Sequence, residues 1–244
     1  MLGNKKSEAL LANIRNGLPM SQNEKLKLIV SLSIPSILAQ ITTVMMFFID
    51  ASMVGHLGAE ASASIGLVES TTWLMGSVMS AASMGFSVQV SHFIGANDFF
   101  KARQVFRHGL LCGLAFSLII AAIGTSIHSV LPLWLGGGND INHDASQYYL
   151  VFSLTMPFIL LFHLSASMIK CSGNMQLPSL MSVLLCVLDV IFNYLFIYIL
   201  HLGVVGAAIG TSMAYISTSL PIAWMATRRN RILALQLDNV PFKW

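Results

Sequence analysis

Residues 28–53 read LIVSLSIPSILAQITTVMMFFIDASM, a stretch without Lys, Arg or Glu whose one acid, Asp50, lies close to its end. A helix needs about 20 predominantly apolar residues to cross a bilayer, so this stretch predicts a membrane-spanning helix. Five further stretches have comparable length and composition, at 62–90, 104–126, 147–169, 178–200 and 204–227. We therefore expect an all-α polytopic membrane protein whose six transmembrane helices form one bundle.

The composition excludes a soluble globular protein. Hydrophobic residues make up 55% of the chain and charged residues only 9%, and the mean hydropathy is +0.74. The net charge of +3 comes from short basic clusters beside the apolar stretches, which is typical of membrane orientation rather than of nucleic-acid binding. The polar start and the length of the first apolar run indicate that no signal peptide is cleaved.

The distribution of Lys and Arg predicts the orientation. Cytoplasmic loops of membrane proteins retain positive charge, and the connections around His56, Asp140 and His201 contain no Lys or Arg. We therefore expect residues 1–27 and 228–244 to be cytoplasmic, the second as a tail or the start of a linker. All 13 basic residues fall on that side: Lys5, Lys6, Arg15, Lys25, Lys27, Lys101, Arg103, Arg107, Lys170, Arg228, Arg229, Arg231 and Lys243.

Three acids lie inside the predicted spans. A carboxylate at the centre of a membrane helix costs about 2.5 to 3.5 kcal/mol on insertion scales, so an acid there indicates function. Asp50, Glu69 and Asp189 all fall in the middle or the outer half of the bilayer if the termini are cytoplasmic. We expect them to line one outward-facing cavity that contains no Lys or Arg.

Polar residues on one helical face support such a cavity. In the first span Ser36, Gln40, Thr43, Phe47 and Asp50 recur at spacings of four, three, four and three, which places them on one face. Other spans have similar faces. The residues that we expect to line a substrate cavity are Gln40, Thr43, Phe47, Glu69 and Tyr215. An alternative is that the hydroxyl and amide residues only form hydrogen bonds between helices.

The predicted acid cluster fits the binding of a small cation. Desolvation favours the protonated form of a carboxyl group, so a proton can bind and leave near neutral pH. The oxygens of Asp50, Asp189, Asn193 and Thr211 could instead hold Na⁺, a hard cation that prefers oxygen ligands. No other metal, no cofactor and no catalytic residue is predicted, since the histidines and the three cysteines lack metal-site spacing. Pro35 removes a hydrogen bond within the first span, which predicts either a hinge or a static kink.

Several segments of the chain resemble MATE (multidrug and toxic compound extrusion) transporters. The runs Ile34–Gln40 (IPSILAQ) and Phe48–Ala59 (FIDASMVGHLGA) are similar to the first helix and loop of that family. Val90–Asp98 (VSHFIGAND), followed by Lys101, Ala102 and Arg103, is similar to its cytoplasmic stretch between helices 2 and 3. The runs Lys170–Asn174 (KCSGN) and Gly203–Thr211 (GVVGAAIGT) resemble its landmarks before helix 5 and at the start of helix 6.

The resemblance implies a function as well as a fold. It implies the amino-terminal lobe of a twelve-helix efflux antiporter of the bacterial inner membrane, which exchanges H⁺ or Na⁺ for organic, predominantly cationic compounds. Asp50 matches the helix 1 aspartate that couples cation entry to drug release, and Thr211 matches a threonine of the same network. Asp189 and Asn193 correspond to a helix 5 pair whose two residue types are exchanged here. Since one lobe is present, the resemblance also implies a second six-helix lobe, either a missing half or another copy.

Three alternatives remain at the level of sequence. A lipid-linked-oligosaccharide flippase of the related superfamily would use the same scaffold, but such flippases usually line the cavity with cationic residues. An intramembrane aspartyl protease would also need two membrane acids, although the sequences around Asp50 and Asp189 do not resemble its motifs. A non-transporting lobe that only binds a partner would tolerate substitution of both acids.

Overall fold

The computed structural model describes residues 10–13, 19, 21–230 and 232–235, and these residues form helices and turns without a β-strand. Within the predicted cytoplasmic segments 1–27 and 228–244, residues 1–9, 14–18, 20, 231 and 236–244 lie outside the described residues. Residues 10–13 are helical, and a short helix, Leu131–Trp134, follows the third long helix. The long helices are α1 (Gln22–Gly55), α2 (Ala59–Gly95), α3 (Phe99–Ile127), α4 (Asn142–Cys171), α5 (Gln176–Tyr194) and α6 (Gly203–Trp224).

The all-α fold expected from the sequence is confirmed. Five helices, α1, α3, α4, α5 and α6, have the length and apolar composition needed to cross a membrane. For α5 and α6 this length includes the π-helical turn that follows each of them. Helix α2 is the longest, with 37 residues, but it is rich in Ser, Thr and Gly and carries Glu60 and Glu69. The sixth membrane span, which the sequence places at 62–90, therefore stays a prediction.

Local sequence signals fix where α1 and α3 begin. The hydroxyl oxygen of Ser21 accepts a hydrogen bond from the Glu24 backbone N–H at 3.3 Å, while a Glu24 carboxylate oxygen accepts one from the Ser21 N–H at 2.9 Å. This is the capping box, which satisfies donors at a helix start. At the start of α3 the Asp98 carboxylate accepts from the backbone N–H of Lys101. Hydrogen bonds from Lys101 hold the pKa of Asp98 below its usual range.

Helix α4 lies at the centre of the bundle. It packs against α2, α3 and α6, and its side chains belong to both large buried clusters. Tyr149, Met156 and Met168 have at most 1% of their surface exposed. Helix α1 packs mainly against α5. The bundle therefore has a central scaffold helix and a peripheral helix.

The chain after α6 folds back onto one end of the bundle. Asn230 accepts hydrogen bonds from the backbone N–H groups of Ile232 and Leu233, which makes a turn. The Arg103 side chain donates to the Ile232 carbonyl oxygen at 2.9 Å, and Leu233 is fully buried. These contacts attach the segment after α6 to α3.

Candidate functional site

A cavity of about 520 Å³ lies among α1, α2, α4, α5 and α6, and we call it the Asp50 cavity. Glu69 lies exposed on its wall, and the Asp50 side chain is half-buried. No Lys or Arg of the described residues lines it. Of the residues predicted from sequence for either the cation site or the substrate cavity, those on its wall are Gln40, Thr43, Phe47, Asp50, Glu69, Asn193, Thr211 and Tyr215.

One side-chain amide connects the two buried acids. The Nδ2 atom of Asn193 donates to Oδ1 of Asp50 at 2.9 Å and to Oδ2 of Asp189 at 3.2 Å. Asp189 and Asn193 lie one turn apart on α5 and are 0% and 1% exposed. Asp189 therefore lies behind Asn193, whereas Asp50 reaches the cavity from α1. A single residue of α5 thus links the acid of its own helix to the acid of α1.

The cluster has more hydrogen-bond acceptors than donors. Among the described residues, Oδ1 of Asp189 and Oδ1 of Asn193 are buried without a hydrogen-bond partner. A buried polar atom without a partner is costly, and ionised carboxylates can only accept. A proton on one carboxyl group would supply a donor, and a Na⁺ ion would accept electron pairs from several oxygens. The oxygen atoms of these side chains fit either ion.

Two glycines of α6 allow this helix to approach α5 closely at the site. A Cβ atom on Gly210 would overlap the Asn193 side-chain oxygen and would lie 2.8 Å from the Asn193 backbone nitrogen. A Cβ atom on Gly206 would lie 2.8 Å from the Phe196 carbonyl oxygen. Small residues permit such close helix contacts in membranes. The approach at Gly210 also brings its neighbour Thr211 to the cavity wall.

Aromatic rings form much of the remaining wall. The rings of Phe47 and Trp73 lie 4.8 Å apart between centroids, and Tyr148 and Phe152 stack nearly parallel on α4. Aromatic faces attract organic cations. Four further wall residues were not predicted from the sequence: Trp73, Tyr148, Phe152 and His163. The spacing of Tyr148, Phe152 and His163 on one face of the fourth span was a signal that could have indicated them.

A second cavity, of about 290 Å³, adjoins the first, and we call it the Lys170 cavity. Its walls include Ser36, Ser167 and Lys170, and it shares Gln40, Thr43, Met46, Ser80, His163 and Tyr215 with the Asp50 cavity. The expectation of a cavity without Lys or Arg concerned the cavity that the acids line, whereas Lys170 is an exposed residue on the wall of this second cavity. Helix α4 continues to Cys171, so Lys170 lies on the helix rather than in the following loop.

Pro35 lies within α1, which remains helical on both sides of it. It is not on the wall of either cavity. The next residue, Ser36, donates a hydrogen bond to the Leu32 carbonyl oxygen at 3.1 Å. The role of Pro35 as a hinge therefore stays a prediction.

The MatE family model matches residues 35–195, which is more than half of the chain. The chain belongs to the MATE family. MATE proteins are transporters rather than enzymes, and the apolar helices agree with a multi-pass membrane protein.

Similar proteins cover nearly all of this MATE chain, but the chain covers only part of them. The probable multidrug resistance protein NorM of Thermotoga maritima is 22% identical over 236 residues, which is 94% of this chain and 50% of that protein. The multidrug export protein MepA of Staphylococcus saprophyticus is 23% identical over 211 residues, which is 85% of this chain and 46% of that protein. A multidrug resistance MATE transporter of the MOP superfamily, solved in an outward-facing conformation, is 28% identical with a TM-score of 0.81, covering 88% of this chain and 48% of that one. The chain therefore spans about half the length of these relatives.

Proposed function

We propose that this chain is the amino-terminal lobe of a MATE-type antiporter that exports organic, predominantly cationic compounds in exchange for H⁺ or Na⁺. The observation that carries the proposal is the link from Asp50 through Asn193 to Asp189 beside an aromatic-walled cavity. The family match gives the fold in which this link acts. The relatives named for multidrug resistance or export support the substrate class.

Asp50 would alternate between the substrate and the coupling ion. When charged, it attracts an organic cation that also packs on the rings of Phe47 and Trp73. A proton or Na⁺ at Asp50 neutralises this charge and weakens the attraction. Because Asp50 also accepts a hydrogen bond from Asn193, the same event changes how α1 is held against α5. A bend near Pro35 would then let α1 rearrange and release the substrate.

The acceptor excess supports both coupling ions. For H⁺, one proton shared within the Asp50 and Asp189 pair would supply a missing donor. For Na⁺, the ligands would be carboxylate oxygens of Asp50 and Asp189, the side-chain oxygen of Asn193 and the hydroxyl of Thr211. Both choices use the unpartnered oxygens of Asp189 and Asn193.

The lobe would act together with a second six-helix lobe. Alternating access requires one bundle to move against another, and the chain spans about half of its relatives. The second lobe would come from further sequence or from another copy of this chain. The basic residues at Lys101, Lys170 and Arg228 support an orientation with both termini in the cytoplasm of a bacterial cell and the Asp50 cavity facing outward.

Ion-dependent dye binding and efflux test this proposal. The purified chain in lipid nanodiscs is titrated with a cationic fluorescent dye, and efflux is measured from drug-sensitive bacteria that express it. We expect Asp50→Asn to weaken dye binding about tenfold or more, which corresponds to about 1.4 kcal/mol for a lost charge interaction. Added Na⁺ or acid should release dye from the unmodified chain and not from the variant.

A matched control separates the site from total charge. Asp140→Asn removes an exposed carboxylate from the loop after the short helix Leu131–Trp134 and should bind dye as the unmodified chain does. Equal binding by the Asp50→Asn and unmodified chains would refute the proposed role of Asp50. Ion-dependent efflux by this chain alone would show that a second copy supplies the partner lobe; dye binding without efflux would show that the partner lobe comes from further sequence.

A further inference from the structure

The two adjoining cavities carry opposite charges. The wall of the Asp50 cavity contains Asp50 and Glu69, whereas no carboxylate lines the Lys170 cavity within the described ranges of the chain. His163 and Lys170 lie on one face of α4, seven residues and about 10 Å apart along the helix axis. Lys170 forms no ion pair within the part of the chain that the structure describes. Its positive charge therefore remains available to a ligand.

Hydrogen-bond donors without partners surround the same cavity. His163, Ser167 and Tyr215 line it, and none of their side chains makes a hydrogen bond to another described residue. His163 carries at least one ring N–H, and the other two carry hydroxyl groups. The hydroxyl groups and the imidazole can also accept hydrogen bonds, whereas the Lys170 ammonium group has three N–H donors and no acceptor. Lys170 therefore makes this wall cationic, whereas the wall at Asp50 is acidic.

We propose that the Lys170 cavity binds the anionic group of an organic substrate, such as a carboxylate, sulfonate or phosphate ester. Charge-assisted hydrogen bonds to Lys170 would hold the anion, and His163, Ser167 and Tyr215 would complete its donor set. Because His163 and Tyr215 also line the Asp50 cavity, one ligand can reach both sites. The lobe would then accept zwitterionic compounds whose cationic group lies toward Asp50. This inference rests on the proposed function, since it treats the bound compound as a transported substrate.

A pair of dyes that differ in a single group tests the anion site. One is a cationic rhodamine ester, and the other is the corresponding free carboxylate, which is zwitterionic. The dissociation constant of each is measured with the chain in nanodiscs of neutral lipid, for the unmodified chain and for Lys170→Gln. We expect Lys170→Gln to weaken binding of the free carboxylate about tenfold and to change binding of the ester less than about twofold.

Two further variants complete the design. Arg228→Gln removes an exposed cation from the same end of the bundle and should leave both dyes unaffected. His163→Gln keeps a hydrogen-bond donor and should weaken binding of the free carboxylate dye less than Lys170→Gln does. The inference is overturned if Lys170→Gln leaves the carboxylate dye unaffected, or if it weakens both dyes equally.

The design also distinguishes a lipid headgroup from a substrate anion. Nanodiscs with anionic phospholipid are compared with neutral ones. If anionic lipid removes the binding advantage that Lys170 gives the free carboxylate, the site belongs to a headgroup and the substrate inference fails. The Asp50→Asn variant with the ester dye tests the proposed function separately, so failure of one proposal does not imply failure of the other.

Discussion

Helices α1 and α4 both span the bundle, but the bundle holds them very differently. In the most apolar stretch of α4, half of the residues are buried within the bundle. In the corresponding stretch of α1, only 6% are buried. Helix α4 packs against α2, α3 and α6, whereas α1 packs mainly against α5. Of the two acids on the wall of the Asp50 cavity, Asp50 is therefore on the helix with the least packing to restrain it, whereas Glu69 is on α2. This difference indicates that the fixed walls and the movable part of the site belong to different helices.

Polar contacts attach α1 to α5 along its length. They run from Ser36 to the Met175 sulfur at 4.0 Å, from Asp50 to Asn193 at 2.9 Å, and from the Met53 carbonyl oxygen to the Tyr198 hydroxyl at 2.9 Å. Because α1 has few buried apolar contacts, these polar contacts carry a larger share of its attachment than they would in α4. The Asp50 contact is the one whose strength changes with charge.

The largest expected effect is a difference in stability between core substitutions in the two helices. Met156→Ala in α4 removes a fully buried side chain and should lower the free energy of unfolding by about 2 to 5 kcal/mol. Leu38→Ala in α1 removes a side chain that is 52% exposed and should change it by less than about 1 kcal/mol. Reversible unfolding in detergent would measure both. Equal losses would contradict the description of α4 as scaffold and α1 as peripheral.

An intermediate effect is expected from a methyl group at the contact between α5 and α6. Gly210→Ala places a Cβ against Asn193 and should destabilise the lobe by about 1 to 3 kcal/mol while lowering dye affinity. Gly85→Ala adds the same methyl group on α2, outside the walls of both cavities and with no atom within 4 Å, and serves as the control. Thermal denaturation and dye titration would compare them. If both glycine variants behave alike, the close approach at Gly210 does not position Asn193.

A smaller and local effect is expected when the link between α1 and α5 is removed. Asn193→Leu keeps a similar volume but donates no hydrogen bond, so α1 should open more readily, by about 0.5 to 1.5 kcal/mol. Hydrogen exchange should accelerate in residues 46–54 and remain unchanged in α4. Leu184→Ala, at an exposed position of the same helix, is the control. Exchange that accelerates equally in α1 and α4 would mean global unfolding rather than local release.

The smallest effect is expected at the start of α3, outside the comparison of α1 with α4. Hydrogen bonds from Lys101 lower the pKa of Asp98, so the charged form stabilises the fold above the ordinary pKa of an aspartate. This contribution should fade as the pH falls through the lowered value. Asp98→Asn should therefore lower the Tm slightly at neutral pH and not at strongly acidic pH. A Tm difference that persists in acid would assign the effect to packing instead.

Sequence reasoning could predict the fold because membrane helices follow from local properties. Apolar length and the capping box at Ser21 and Glu24 locate α1 without reference to any other part of the chain. The polar face from Gln40 to Asp50 likewise follows from helical periodicity. These signals depend on the residues of one helix alone.

The rest of the site depends on contacts between helices, which periodicity does not determine. The double hydrogen bond of Asn193 requires the relative rotation of α1 and α5. The place of Lys170 on a cavity wall requires knowing that α4 continues to Cys171. His163 and Tyr215 line both cavities, and this placement depends on how α4 and α6 pack together.

The distance between α1 and α4 tests most directly whether Asp50 controls the movable helix. Spin labels at Ile41→Cys on α1 and Leu154→Cys on α4, both exposed positions, report it after the native cysteines are replaced. A second pair of spin labels, at Leu118→Cys on α3 and Leu154→Cys on α4, is the fixed reference. We predict that acid or Na⁺ shifts the α1–α4 distance in the chain that retains Asp50 and leaves it unchanged in Asp50→Asn, while the α3–α4 distance stays constant. An α1–α4 distance that does not change with acid or Na⁺, or that changes equally in Asp50→Asn, would contradict control of α1 by Asp50.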